Sequence, residues 1–98
     1  MVYIDVAENR FRGMVMCHMI GDTVAELHDM ADRIGLRREW FQPRSRPHYD
    51  LSKTKRLEAV KAGAVELDRR GIVEVMKRQM PVWTAEYAAA RARGLEHP

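Results

Sequence analysis

The stretch "MVMCHMIGDTVAELHDMADRIG", residues 14–35, decides how the whole chain is read. From 14 to 20 every position but His18 is apolar, the pattern of a central strand covered on both faces. Asp22 or Thr23 then caps a helix, and Thr23-x-x-Glu26 matches the reciprocal capping box. Val24, Leu27, His28, Ala31 and Ile34 recur at the spacing of one buried helical stripe. On such a stripe His28 reads as a core histidine rather than a ligand. Gly35 stands where a left-handed C-cap belongs. A buried strand running into an amphipathic helix is the signature of an α/β domain.

Working outward, residues 1–5 ("MVYID") read as a first strand, followed by a polar loop "ENRFRG" closed by Gly13. Downstream, "REWFQ" predicts a short strand stopped by Pro43 and Pro47, and Pro47 biases Arg46 towards extended backbone. Ser52 caps a second helix running to about Ala62, with Leu57, Val60 and Ala64 pointing inward and Gly63 ending it. Residues 64–67 ("AVEL") form a last strand. A third helix has Ile72, Val73, Met76 and Met80 as its apolar positions, and Pro81 breaks it. A fourth, "PVWTAEYAAARARG", follows from its alanines. The expected architecture is a small single-domain α/β sandwich: a three- to four-stranded, partly parallel sheet, packed helices and a C-terminal helix. Residues 1–80 form the compact domain and 81–98 a helical extension. Val82, Trp83, Tyr87 and Ala90 would dock that extension on the domain or on a second copy, so a homodimer through the C-terminal helix is compatible.

Ninety-eight residues, 46% of them apolar, suit one ordinary globular core. No apolar run is long enough to cross a bilayer. An early acid and the lack of a basic leader argue against a signal peptide, and a cytoplasmic protein is expected. Cys17 is the single cysteine, which excludes an intrachain disulfide and a cysteine-based zinc site. The net charge of +3 is distributed unevenly: between Arg37 and Lys61 lie eight basic residues and three acids. A basic face of this kind fits either an anionic partner or plain solvation.

The chemistry concentrates in "RSRPHYDLSKTKR", residues 44–56. If His48-Tyr49-Asp50 is extended, its period of two sends His48 and Asp50 to one side. That imidazole–carboxylate pair suits general acid-base work, with Tyr49 between them, or two ligands for a metal. Read without function, Asp50 merely favours the positive end of the next helix while His48 is exposed. Ser52, Lys53, Lys55 and Arg56 load that helix start with hydroxyl and positive charge, and Arg44 and Arg46 widen the field. Lysine beside a helix N-terminus is unfavourable without an anion, so a phosphate site is expected there. Asp5, His18 and Asp22 would converge beyond the strand ends, with Asp50 nearby, around Mg²⁺ or Mn²⁺. Trp40 and Phe41, next to arginines, suit base stacking, although a "WF" pair on a short strand is more often core.

These residues form a pattern. "VYID", "CHMIGDTVAELHDMADRIGL", "WFQ" and "PHYDLSKTKRLEAVKAGAVEL" together resemble an uncharacterised family of bacteria and phages, domain of unknown function 4031. The likeness runs from about Met1 to Met80. Met16 stands where the pattern has an aromatic residue, and Gly21 where it has alanine; neither change removes a polar group. The resemblance implies a family core of His18, Asp22, His48, Tyr49, Asp50, Lys55 and Arg56, and supplies no activity. Three functions are therefore expected to compete. The first is binding of a phosphorylated ligand, a nucleotide or nucleic acid. The second is a small metal-dependent hydrolase or phosphodiesterase using His48 as acid-base. The third is a non-enzymatic inhibitor whose basic face meets a partner protein.

Overall fold

The computed structural model describes residues 1–6, 9–11, 14–44 and 46–98, without side-chain detail for 9–11, 14 and 15. The expected closure of the first loop by Gly13 lies outside them. Strand β1 (Val2–Asp5) is followed by β2 (Asn9–Phe11) and β3 (Met14–Gly21), then helix α1 (Val24–Arg33). A 3-10 turn (Arg38–Trp40) leads to β4 (Tyr49–Leu51), α2 (Lys53–Lys61), β5 (Val65–Leu67) and α3 (Arg69–Ala92). Among the described residues, four strands lie in the order β2-β3-β1-β5, and β4 joins as a fifth against β3. Only β1 and β5 run parallel; β3 is antiparallel to β1, β2 and β4. The fold is thus α/β around a mixed sheet.

Side-chain alternation sorts this sheet into two faces. Ile4, Met19, Tyr49 and Leu51 point one way; Tyr3, Asp5, His18 and Asp50 point the other. The first face is covered by α1, whose His28 meets the Tyr49 hydroxyl, and by α2, whose Arg56 pairs with Glu66. The second is covered in part by α3, whose Arg78 donates to the Tyr3 hydroxyl. The most deeply buried side chains include Ile4, Met19, Ile20, Val24, Leu27, Tyr49, Leu51 and Trp83.

Several local expectations hold. Thr23 caps α1 by accepting from the Glu26 amide at 3.1 Å, and Gly35 follows with φ 78°. Ser52 caps α2 by accepting from the Lys55 amide, and Gly63 has φ 106°. The return half of the capping box differs. Glu86 of α3 accepts from the Val24 and Ala25 amides, while Glu26 pairs with the Met1 ammonium. A Cβ at Gly21 would lie 2.8 Å from the Thr23 carbonyl oxygen, so a side chain here would require this strand-to-helix turn to shift.

Other expectations are corrected. Within "ENRFRG", Asn9–Phe11 is a strand, paired to β3 by backbone bonds that composition does not reveal. "REWFQ" is a 3-10 turn followed by a single bridge from Gln42 to His48. Leu57 is 61% exposed; it lies two residues from the buried Ala59, on the far side of α2. Val73 and Met80 are likewise exposed, and the buried stripe of α3 is Ile72, Val75, Trp83 and Ala90.

Pro81 does not break the third helix: α3 runs through it for 24 residues. Proline inside a helix costs about 3 kcal/mol. Trp83, 2% exposed, offsets this by burying an indole worth about 4 to 5 kcal/mol. Its Nε1–H donates to the Gly21 carbonyl, while Gln79, on the other side of Pro81, donates to the Asp22 carbonyl. Both halves of the helix are thereby fixed to the same end of β3. Tyr87 donates to the Pro43 carbonyl, so Trp83 and Tyr87 both serve contacts within the chain. No helix among the described residues is long and apolar enough to cross a membrane.

Candidate functional site

Strand β3 brings three segments together. One residue beyond the Ile4–Met19 pair, the buried Asp5 meets His18 with both oxygens. Its Oδ1 accepts the His18 amide and its Oδ2 faces the imidazole Nδ1, each at 2.9 Å. Across the other edge of β3, His18 lies directly opposite Asp50. His48, two residues before Asp50, shares its side of the sheet by alternation. The His18 and His48 rings meet edge to face with centroids 5.3 Å apart. Each imidazole Nε2 lies 3.7 Å from the same oxygen, Asp50 Oδ1.

The hydrogen bonds determine which nitrogen of each ring carries the proton. The Nδ1 of His18 donates to a carboxylate, and the Nδ1 of His48, 2.9 Å from the Arg46 carbonyl oxygen, donates to it. In the neutral form both rings therefore present the Nε2 lone pair towards Asp50. Asp50 is oriented as well, since its Oδ2 accepts from Gln42 Nε2 at 2.7 Å. One ligand atom from each of His18, His48 and Asp50 lies within 4.8 Å of the others. A separation of 3.7 Å is too long for a hydrogen bond. It is close to the spacing of two ligands around one ion at about 2.1 Å. Asp5 raises the pKa of His18 chiefly through its hydrogen bond; burial opposes this, and Asp50 adds to it. The Arg46 charge is near enough to His18 to act in the lowering direction.

The remaining candidates go elsewhere. Tyr49 points to the opposite face, is fully buried, and bonds His28 at 2.8 Å, so it does not join His48 and Asp50. Asp22 lies at the other end of β3, four residues from His18 and therefore about 13 Å along the strand. There it accepts from the Tyr3 hydroxyl and Arg78 and faces the chain's ammonium group. The expected convergence of Asp5 and Asp22 assumed parallel strands; β1 and β3 are antiparallel, which puts these acids at opposite ends.

The basic helix start is also reassigned. Lys55 donates to the Ile34 carbonyl at 2.6 Å and pairs with Glu58. A cation there favours the negative end of α1, which offsets the electrostatic conflict for Lys55, while Lys53 stays exposed in the first turn of α2. Arg56 pairs with Glu66 at 2.8 Å, and the Ser52 side chain is occupied as the cap. Lys53, Arg44 and Arg46 are exposed.

A groove of about 510 Å³ adjoins Asp50. Met16, Leu36 and Trp40 line it together with Gln42, Ser52 and Lys55. The "WF" pair is divided: Phe41 is buried against His28, while Trp40 is 50% exposed beneath the Arg37 guanidinium. Gln42 escaped the sequence reading because only its bridge to His48 brings it near Asp50. The prolines at 43 and 47, lying just inside the bridged pair, were its one visible signal.

No curated protein and no solved structure matches the chain. A profile of the family described as "Protein of unknown function (DUF4031)" matches residues 2–79, and the chain belongs to that family.

Proposed function

We propose that the chain is a small metal-dependent hydrolase of phosphoesters, with the ion held by His18, His48 and Asp50. The observation that carries this reading is the convergence of two Nε2 atoms on one oxygen of Asp50, with each Nδ1 already engaged. Paired imidazoles with fixed tautomers and an orienting carboxylate behind one of them are what a metal centre requires. Two nitrogens and one oxygen suit Zn²⁺ or Mn²⁺ better than Mg²⁺, which prefers oxygen ligands. Three protein ligands leave a position for water or substrate, the arrangement of catalytic rather than structural sites.

Such an ion would supply Lewis acidity, lowering the pKa of a water and drawing charge from a phosphoryl oxygen. Asp5 keeps His18 in its ligating tautomer, Gln42 holds Asp50, and the Arg46 backbone holds His48. Arg46 and Arg44, in the adjoining loop, favour an anionic substrate by charge. In the net reaction the water oxygen forms a bond to phosphorus and the bond to the leaving oxygen breaks. The proton released by water ends on that leaving oxygen. The helix start at Ser52 supports phosphate binding less well, because Lys55 and Arg56 both have protein partners.

Titration calorimetry with Mn²⁺ and Zn²⁺, alongside turnover of bis(p-nitrophenyl) phosphate, tests this. Wild type should bind one equivalent of ion and turn over only with it. His18→Ala and His48→Ala should each lose both, by about 100-fold or more in affinity. Wild type that binds neither ion at millimolar concentration sinks the reading.

A further inference from the structure

The groove beside Asp50 has a composition that the metal chemistry does not need. Met16 and Leu36 are apolar walls, and Trp40 leaves half of a large aromatic surface exposed next to them. A planar side chain exposed in a concave site is a stacking platform, and any nucleobase offers the matching π-face. The volume of about 510 Å³ falls within the range of small-molecule sites and admits a base with its sugar. One end of the groove is Asp50, the residue shared with the two histidines. Arg37, which is paired with Glu39, lies 5.9 Å from the Trp40 ring centroid. The groove is therefore apolar along Met16, Leu36 and Trp40 and polar at Gln42, Asp50, Ser52 and Lys55, where the proposed ion would draw a phosphate.

We propose that this groove is a base-binding subsite, so that the phosphoester presented to His18, His48 and Asp50 belongs to a nucleotide unit. The base stacks on Trp40 between Met16 and Leu36, and its phosphate reaches Asp50. This rests on the metal-centre reading for the chemistry, but the stacking part of the groove is built by Met16, Leu36 and Trp40, none of them a candidate ligand. Trp40 belongs to the 3-10 turn and is not one of the three candidate ligands.

Trp40 also provides the measurement. The other tryptophan, Trp83, is buried and hydrogen-bonded to Gly21, so ligand-dependent quenching of emission reports on Trp40. Adenosine 5′-monophosphate and ribose 5-phosphate would be titrated in the presence of Mn²⁺, with Mn²⁺ binding measured on the same samples. The nucleotide should bind at least tenfold more tightly than the sugar phosphate in wild type. Calorimetry should show that preference lost in Trp40→Ala and largely kept in Trp40→Phe; both changes are at an exposed position and leave the core intact. Equal affinity for the two ligands, or a preference unchanged in Trp40→Ala, overturns the proposal. Mn²⁺ binding without base preference would refute the groove alone. Base preference without Mn²⁺ binding would refute the metal centre alone. A single-stranded trinucleotide separates the sources of the unit: tighter binding than the monomer assigns it to a strand, and equal binding to a free nucleotide.

Discussion

His18 and His28 face opposite sides of one sheet, and their surroundings give them opposite chemistry. His28 lies in the core between Phe41 and Tyr49, and burial together with the nearby Arg38 charge lowers its pKa to about 4. His18 is only partly buried, and the hydrogen bond it donates to Asp5 raises its pKa. Burial without an acid keeps an imidazole neutral, whereas a carboxylate behind the ring makes it a stronger base and a better ligand. Strand β4 and the residue before it build both settings with adjacent residues, because Tyr49 supports His28 while His48 and Asp50 join His18. A slip of one residue in β4 would exchange core and site.

The sharpest way to break this comparison is to mutate neighbours. Tyr49→Ala should cost about 3 to 5 kcal/mol in urea unfolding, whereas His48→Ala should cost under about 1 kcal/mol while abolishing ion binding. Equal destabilisation would mean that the two faces are not functionally distinct.

Acid titration separates the two histidines next. The folded pKa of His28, about 4, lies below the unfolded value near 6.5. The unfolded chain then binds the extra proton first, so His28 should remove about 2 to 3 kcal/mol of stability as pH falls from 6.5 to 4. His18 acts in the opposite sense and in another window. Its raised pKa contributes stability that is complete below about 6.5 and is lost as pH rises through its folded value. Subtracting the pH profile of His28→Gln from wild type should isolate the acid-side slope.

A smaller effect tests the support of His18. Asp5→Asn should weaken Mn²⁺ or Zn²⁺ by about 10- to 100-fold, as loss of an orienting carboxylate does. Calorimetry that shows no change would place Asp5 outside the site's function. Glu86→Ala removes the distant cap of α1 and should cost about 1 kcal/mol in thermal unfolding. Lys55→Ala should cost about 0.3 to 1 kcal/mol, the worth of a cation at a helix C-terminus. It should leave ion binding unchanged; a large loss of ligand affinity instead would restore Lys55 to the site.

Features confined to one turn of chain were legible in the sequence. Thr23 and Ser52 cap helices by reaching amides three residues on, and Gly35 and Gly63 adopt the positive φ that their positions imply. That His48 and Asp50 share a side followed from the strand period once the segment is taken as extended. Short strands were less legible: β2 and β4 have three residues each, too few to show a period, and exist through pairing with β3. The partner of Lys55, the Ile34 carbonyl, was not legible because it lies 21 residues away in sequence.

The sequence by itself determined the α/β class, the two long-period elements around His18, and the presence of His18, His48 and Asp50 as polar residues among apolar neighbours. Local hydrogen bonds and side-chain periodicity suffice for that. Tertiary structure alone decided that β1 and β3 run antiparallel, which admits Asp5 to the site and removes Asp22. It also decided that Glu86 caps α1, that Trp83 carries α3 through Pro81, and that Gln42 holds Asp50. Apart from the Gln42–Asp50 bond, eight residues in span, these contacts join distant residues, and their energy comes from burial and satisfied polar groups that no short window of sequence contains.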